Sequence, residues 1–493
     1  MKRSALFTGL VLIALSVAIA HWARPSRDWT TASAQAAKLL AEGETDLRAF
    51  RWQQAERTLA AAVEADPGFA MARAAHAEAL ATLGESERSR RAAQQADSLA
   101  QLLRDSAERL AIQLRLTAYY PPLAASRDSL LDLLEGQRPD CLIVAITRAR
   151  QAEQRRDAAA EAAAWHDALR IDPNFAGAWN QLGYLAARQG RYEDAEGYLS
   201  KYAFLAPDLA NPHDSLGEIL AQQGKYERAE LEFKTSLSLQ PDFFPSLLTL
   251  AQVYVERGQI ERGVQLLEKV RAQIAGTDWE RRVDGTLMRT YYDHELRDAL
   301  SKAVARWLAA HPQDWQAAYY RAVALGLAGQ PAQASAACDT FAASLPRAPW
   351  FDGTEATRDR AMVLVHNCRG MLALEAGVAD SACAHFAAAL KASSDAAPSE
   401  TWSLRLNHAK SLLLAGDPAS ALAQARAVLD VNPRRLRALS LETRALLALD
   451  RRDEAREALA RLREALAAAD VSVVEAFENA SYVRELSATR PAP

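Results

Sequence analysis

Aromatic side chains are scarce in this chain. Phe, Trp and Tyr make up 7% of its 493 residues, while Ala and Leu dominate. Strands favour aromatic and β-branched residues, so this mix points to helices. An excess of positive charge is missing too. The net charge is −4, with acids and bases interspersed, which excludes the basic footprint of a nucleic-acid binder. The densest basic run, Arg434, Arg435 and Arg437, reads as the solvated start of a helix. Cysteine is rare. Cys141, Cys338, Cys368 and Cys383 are the only four; free buried thiols are the default, and spacing alone does not decide whether any pair is bridged.

Long hydrophobic runs are lacking, with one exception. Lys2 and Arg3 precede an apolar stretch of 16 residues, Ala5 to Ala20. A membrane span needs roughly 20. The stretch ends in Ala18-Ile19-Ala20, a small-x-small pattern of the kind signal peptidase cuts. It reads as an export signal cleaved after Ala20, or as an uncleaved anchor with Lys2 and Arg3 on the cytoplasmic side. Either reading sends the remainder beyond the inner membrane, so the expected location is periplasmic or otherwise extracytoplasmic. Contact with membrane is expected only through that segment.

What the chain does contain is repetition. Half its residues are hydrophobic, enough to bury a large surface. Shifting the sequence by 34 residues aligns Gly183 with Gly217, Gly190 with Gly224 and Gly258, Ala195 with Ala229, and Pro173 with Pro207 and Pro241. A fixed period in this range signals stacked supersecondary units. Trp179, Leu182 and Leu185 recur at helical spacing. Gly190 interrupts, a second helix runs from Tyr192, and Pro207 stops it. Gly183 and Ala195 are the small residues at which the two helices are expected to approach most closely. Scattered Trp residues, Trp165 among them, read as packing anchors.

This pattern resembles the tetratricopeptide repeat. Residues 176–209 carry Trp179, Leu182, Gly183, Ala195, Leu199 and Pro207 at the family's positions, and depart from it at Ala186 and Tyr202. Residues 210–243 carry Leu216, Gly217, Ala229, Phe233 and Pro241. Residues 244–277 keep Leu250, Tyr254 and Leu267 but hold Ala251 and Gly263 at the two small positions. Further copies begin near residues 34, 363, 402 and 436. The resemblance implies an all-α fold, a solenoid of stacked antiparallel helix pairs wound into a superhelix. The expected organisation is a signal or anchor over 1–20, a tether over 21–33, and an array over 34–345 that degenerates at 100–160. A connector over 346–362, a second array over 363–469, and a cap and tail over 470–493 complete it.

The resemblance also implies where a partner binds. In this family the first helix of each unit lines a concave groove, and the corresponding residues are Asn180, Tyr184, Asn211, Asp214, Glu218, Leu248 and Gln252. The set is polar to acidic at its centre, suited to an extended peptide or helix with basic and apolar side chains. The clamp of cations that grips chaperone tails is absent from the matching positions Asn180, Tyr184, Ser215, Pro245 and Thr249.

Catalytic signatures are missing. There is no Gly-x-Ser-x-Gly elbow, no phosphate-cradling glycine loop and no His-Glu-x-x-His. His366-x-Cys368 and Cys383-x-His385 have metal-ligating types, but residues two apart on a helix diverge by about 200°. Asp293, His294 and Glu295 likewise read as a solvated helix. No cofactor or metal is expected. The function expected is a non-catalytic scaffold in the bacterial cell envelope that binds a protein or peptide. An architectural subunit of an envelope assembly, or an enzyme acting through His294 or Cys368, is the rival.

Overall fold

A computed structural model describes residues 29–488, apart from 49, 275–278, 295, 313, 349, 394 and 395. The stretch expected to be an export signal or anchor lies outside the described residues. Among the described residues every regular element is helical, and no helix is long and apolar enough to cross a membrane. The helices stack in sequence as neighbouring pairs, which is the all-α solenoid expected. The chain divides into two compact units: residues 1–185 with 204–206, and residues 186–203 with 207–493. The repeats at 363–469 therefore share a unit with those at 207–345.

Small residues govern how the helices of a pair meet. In the second unit, Ala210–Gln222 packs on Tyr226–Leu239. A Cβ on Gly217 would stand 2.8 Å from the buried ring of Phe233. Gly370 meets Phe386 in the same way at 2.9 Å, and in the first unit Gly43 meets Leu59 at 2.6 Å. The missing methyl thus admits the large side chain one helical turn beyond the repeated alanine. In the next repeat the small residues are exchanged. Ala251 sits at the glycine position and Gly263 at the alanine position, where a Cβ would lie 2.8 Å from the Ala251 carbonyl oxygen. Gly183 and Ala195 are both buried and fall one in each unit.

The first unit opens with Ala34–Arg48 against Trp52–Ala65. Its apolar core extends from Ala36 to Val144 and is built mainly of Ala and Leu. Where the period slips, Ser106–Leu116 is followed by the short helix Pro121–Ala124 and then Arg127–Gln137. Prolines are tolerated in a first helical turn, where an amide proton has no partner to lose. Thr30 and Thr31, in the segment read as a tether, are bonded to this unit. Thr30 donates to buried Glu108 from its amide (2.7 Å) and its hydroxyl (2.5 Å), and the Thr31 hydroxyl donates to Asp66 at 2.5 Å.

In the second unit the C-terminal repeats fold back onto the earlier ones. Gly190, Gly224 and Gly258 occupy the turns between paired helices, with φ of 75°, 72° and 76°. Glycine accepts that left-handed backbone without a steric penalty. Each turn also receives a loop of the C-terminal repeats. A Cβ would stand 3.4 Å from Pro398 at Gly190, 2.5 Å from Asn432 Oδ1 at Gly224, and 2.6 Å from the Ala469 methyl at Gly258. Asn432 donates to the Tyr226 hydroxyl at 3.1 Å, and the Asp470 amide donates to the Gly258 carbonyl at 3.0 Å. The receiving turns recur every 34 residues, and Pro398 and Asn432 are also 34 apart, so two periodic edges meet in step.

This docking corrects the reading of the basic run. Arg434 pairs with Glu227 at 2.6 Å, Arg435 with Glu256 at 2.8 Å, and Arg437 with Asp293 at 2.8 Å. Arg435 retains only 17% of its side-chain exposure. The run starts a helix, Leu436–Ala448, but its cations face carboxylates about 150 to 200 residues earlier rather than bulk solvent, because the chain returns on itself.

Candidate partner-binding sites

Five of the seven residues named for the groove lie in the second unit and two, Asn180 and Tyr184, in the first. Asn180 and Tyr184 are half-buried on Ala176–Arg188. Asn211 is exposed, and its Oδ1 accepts a hydrogen bond from the Tyr202 hydroxyl at 3.0 Å. Leu248 packs with Phe244 and Leu247 against the apolar core. Glu218 and Gln252 line a pocket of about 290 Å³. Asp214 is buried, 8% exposed. Its Oδ1 accepts from Ser246 Oγ at 2.7 Å. Burial pushes its carboxyl up to about 7; the Ser246 bond opposes the shift, and the neighbouring Glu218 charge adds to it.

The opposite wall of that pocket belongs to the same chain. Trp402, Arg435 and Arg437 face Glu218, Glu256 and Asp293 across it. Burial raises the Glu256 carboxyl even though Arg435 pulls against the shift. Asp293 and His294, read from the sequence as solvated, also line this pocket. Burial lowers the His294 imidazole below its ordinary value, and the Asp293 charge opposes the shift. Of the acidic residues named for the groove, Glu218 shares this pocket with Arg435 and Arg437, whose carboxylate partners are Glu256 and Asp293.

A larger cleft of about 800 Å³ opens in the first unit. Six rings line it: Trp29, Phe50, Trp52, Tyr119, Trp165 and Phe175. Phe50 and Trp52 meet edge to face at 5.0 Å, and Trp165 and Phe175 at 6.3 Å. Arg115, 12% exposed, is held between Glu44 and Glu78 at 2.7 Å each. Burial works against its charge, and the two carboxylates outweigh burial and hold the guanidinium above its ordinary range. Tyr119 donates to Glu78 at 3.2 Å, and burial pushes its phenol up to about 12. Arg127 and Arg150 line the same cleft and, among the described residues, have no carboxylate partner. Sequence reasoning misses this site because it joins Trp29, Phe50, Trp52 and Phe175, which hold no repeat-defining position, to Arg115, Tyr119, Arg127 and Arg150 from the stretch where the period slips. Of its rings only Trp165 stands out in the sequence, and there as a packing residue.

The pairs His366–Cys368 and Cys383–His385 do not bring their four side chains to one point. His366 Nδ1 lies 3.1 Å from His385 Nδ1. Cys368 turns instead into the apolar interior, and Cys383 donates to Ser411 Oγ at 3.3 Å. This is the divergence expected at a spacing of two on a helix. Among the described residues no group of three or more His, Cys, Asp or Glu is arranged to hold a metal ion.

The fold defines an α-solenoid of paired helices. Two tetratricopeptide repeat models match it, over residues 220–281 and 167–197, within the region of strongest sequence resemblance. No curated protein matches. Among solved structures, a tetratricopeptide repeat protein from Parabacteroides merdae ATCC 43184 is 15% identical. That match covers 55% of this chain and 98% of the other, with a TM-score of 0.41. The APC/C hetero-tetramer Cut9–Hcn1 matches at 13% identity over 83% of this chain and 84% of the other, TM-score 0.36. PilW, a type IV pilus biogenesis factor, matches at 19% identity over 42% and 96%, TM-score 0.38.

Proposed function

We propose that the chain is a non-catalytic scaffold that binds a protein or peptide partner in the bacterial cell envelope. The cleft of the first unit carries this reading. It is ligand-sized, walled by six rings, and edged by Arg127 and Arg150, which have no carboxylate partner among the described residues. Rings bury much apolar area at small entropic cost, and guanidinium groups recognise carboxylates. The occupant that fits is a peptide segment bearing a large apolar side chain next to an acidic one. In the second unit the pocket at Glu218 and Gln252 is the smaller, and its far wall is the chain's own arginines. The envelope location rests on the apolar stretch Ala5 to Ala20.

The test is site-specific photocrosslinking in intact cells of the source bacterium. A benzophenone at Ile143, in the cleft wall, should yield one adduct of discrete mass, diminished by Arg127→Glu with Arg150→Glu. Adducts only from a benzophenone at Gln252 would move the partner to the second unit and overturn the cleft assignment. Adducts with a cytosolic protein would overturn the envelope location.

A further inference from the structure

Cys338 and Cys368 lie on different helices, Pro331–Ser344 and Glu355–Glu375, which pack together. Their side chains share one apolar cluster with Ala322, Phe341 and Leu345, and both are buried. Both are free thiols here. Cys141 lies in the first unit, and Cys383 on the helix Ala379–Ala392. Cys338, 1% exposed, lies in the wall of an open cavity of about 660 Å³ with Ser335, Asp339 and Arg369.

We propose that Cys338 and Cys368 form a reversible disulfide that staples these two helices across the segment 345–354. Cys338, in the cavity wall, is the thiol that an external disulfide meets first. The thiolate is the attacking species in exchange. Cys338 Sγ loses its proton and attacks a disulfide oxidant such as oxidised glutathione, forming a mixed disulfide and releasing one glutathione thiolate. Cys368 Sγ then loses its proton and attacks Cys338 Sγ. The second glutathione leaves with the electron pair of the broken bond. The two protons end on the two released thiolates, so the protein is oxidised by two electrons and the glutathione disulfide reduced by two.

The closed ring spans residues 338 to 368 and encloses the turn Leu345–Arg347 and the loop to Glu355. A cross-link of that size restricts the unfolded chain and raises the melting temperature by roughly 5 °C in a unit of this length. It also fixes the helix from which the C-terminal repeats return to Gly190, Gly224 and Gly258.

The experiment uses the full chain carrying Cys141→Ser and Cys383→Ser, equilibrated with oxidised and reduced glutathione. The expected result is the loss of two hydrogens in mass, no thiol left to alkylate after unfolding, and one linked peptide pair joining Cys338 to Cys368. The melting temperature should rise, and dithiothreitol should reverse all four changes. Adding Cys368→Ser should leave a mixed disulfide with glutathione at Cys338, whereas Cys338→Ser should leave the protein unmodified. Two alkylatable thiols persisting under oxidising glutathione would overturn the proposal. So would a stable glutathione adduct in the chain that keeps both cysteines, because Cys368 then cannot reach the mixed disulfide.

Discussion

Asn432 donates a hydrogen bond at 3.1 Å to the Tyr226 hydroxyl, 206 positions earlier in the chain. The same side chain fills the space above Gly224, where a Cβ would lie 2.5 Å from its Oδ1. One glycine thereby serves both a tight helix–helix turn and a seat for the returning chain. Gly377 makes the comparison clean. Its φ is also 72°, but nothing lies within 4 Å of a Cβ placed there.

Gly377→Ala should therefore cost about 1 kcal/mol, the penalty of a left-handed non-glycine residue. Gly224→Ala should cost roughly 2–3 kcal/mol, since it adds a clash to that strain. Denaturant unfolding of the full chain measures both. Hydrogen exchange at the Asp470 amide reports whether the C-terminal repeats come away. Equal losses for the two variants would mean that the docking contributes nothing at this turn.

The Arg435–Glu256 pair, 17% and 26% exposed, should behave as a largely buried pair. Removing one partner leaves the other charge poorly solvated, so Arg435→Ala should cost about 2 kcal/mol. Adding Glu256→Gln should recover more than half of that loss. A double-mutant cycle on thermal unfolding reads the coupling, and additive losses would show that the pair is screened as a surface bridge.

Asp214 should make stability fall with rising pH. Its carboxyl is held near 7 in the folded chain, against an ordinary value of 3.8. Between those values the folded state keeps a proton that the unfolded state has released, so the slope of stability against pH is negative there. Above 7 both states are ionised and the penalty is complete. Asp214→Asn keeps an acceptor for Ser246 and removes the ionisation. It should stabilise the chain at pH 8 by on the order of 2 kcal/mol and change little at pH 4. A variant that is equally stabilised at both pH values would place the effect outside this titration. Asp214→Lys, attractive if the residue faced an open groove, should instead lower the melting temperature.

The exchanged small residues of the third clear repeat should compensate each other. Gly263→Ala alone pushes a methyl towards the Ala251 carbonyl, 2.8 Å away, and should cost roughly 1–3 kcal/mol. Combining it with Ala251→Gly restores the pattern of the preceding repeat and should return at least half the loss. Calorimetry of the single and double variants decides this, and a double variant no better than Gly263→Ala would show that the two sites do not share one contact.

Much of the helix pairing is legible in the sequence. Gly217, Gly370 and Gly43 stand where a periodic small residue must, and each admits a large side chain. The partner of that glycine is less legible. The space goes to Phe233, Phe386 and Leu59, one turn beyond the alanine, because a helical side chain leans back towards the amino end of its own helix. The binding surface is legible only in part. Glu218 and Gln252 do line a pocket, but the cleft with Trp52, Arg127 and Arg150 draws on positions that share no period.

The sequence by itself determined that this protein is built of paired helices, and where each pair turns. Those features are set by residues within one 34-residue repeat, whose size and backbone preferences act locally. Only the tertiary structure decided that Arg434, Arg435 and Arg437 would meet Glu227, Glu256 and Asp293. It also decided that Asp214 would be buried and that Cys338 would lie beside Cys368. Such contacts depend on small rotations accumulated over many repeats, and no single repeat encodes that sum.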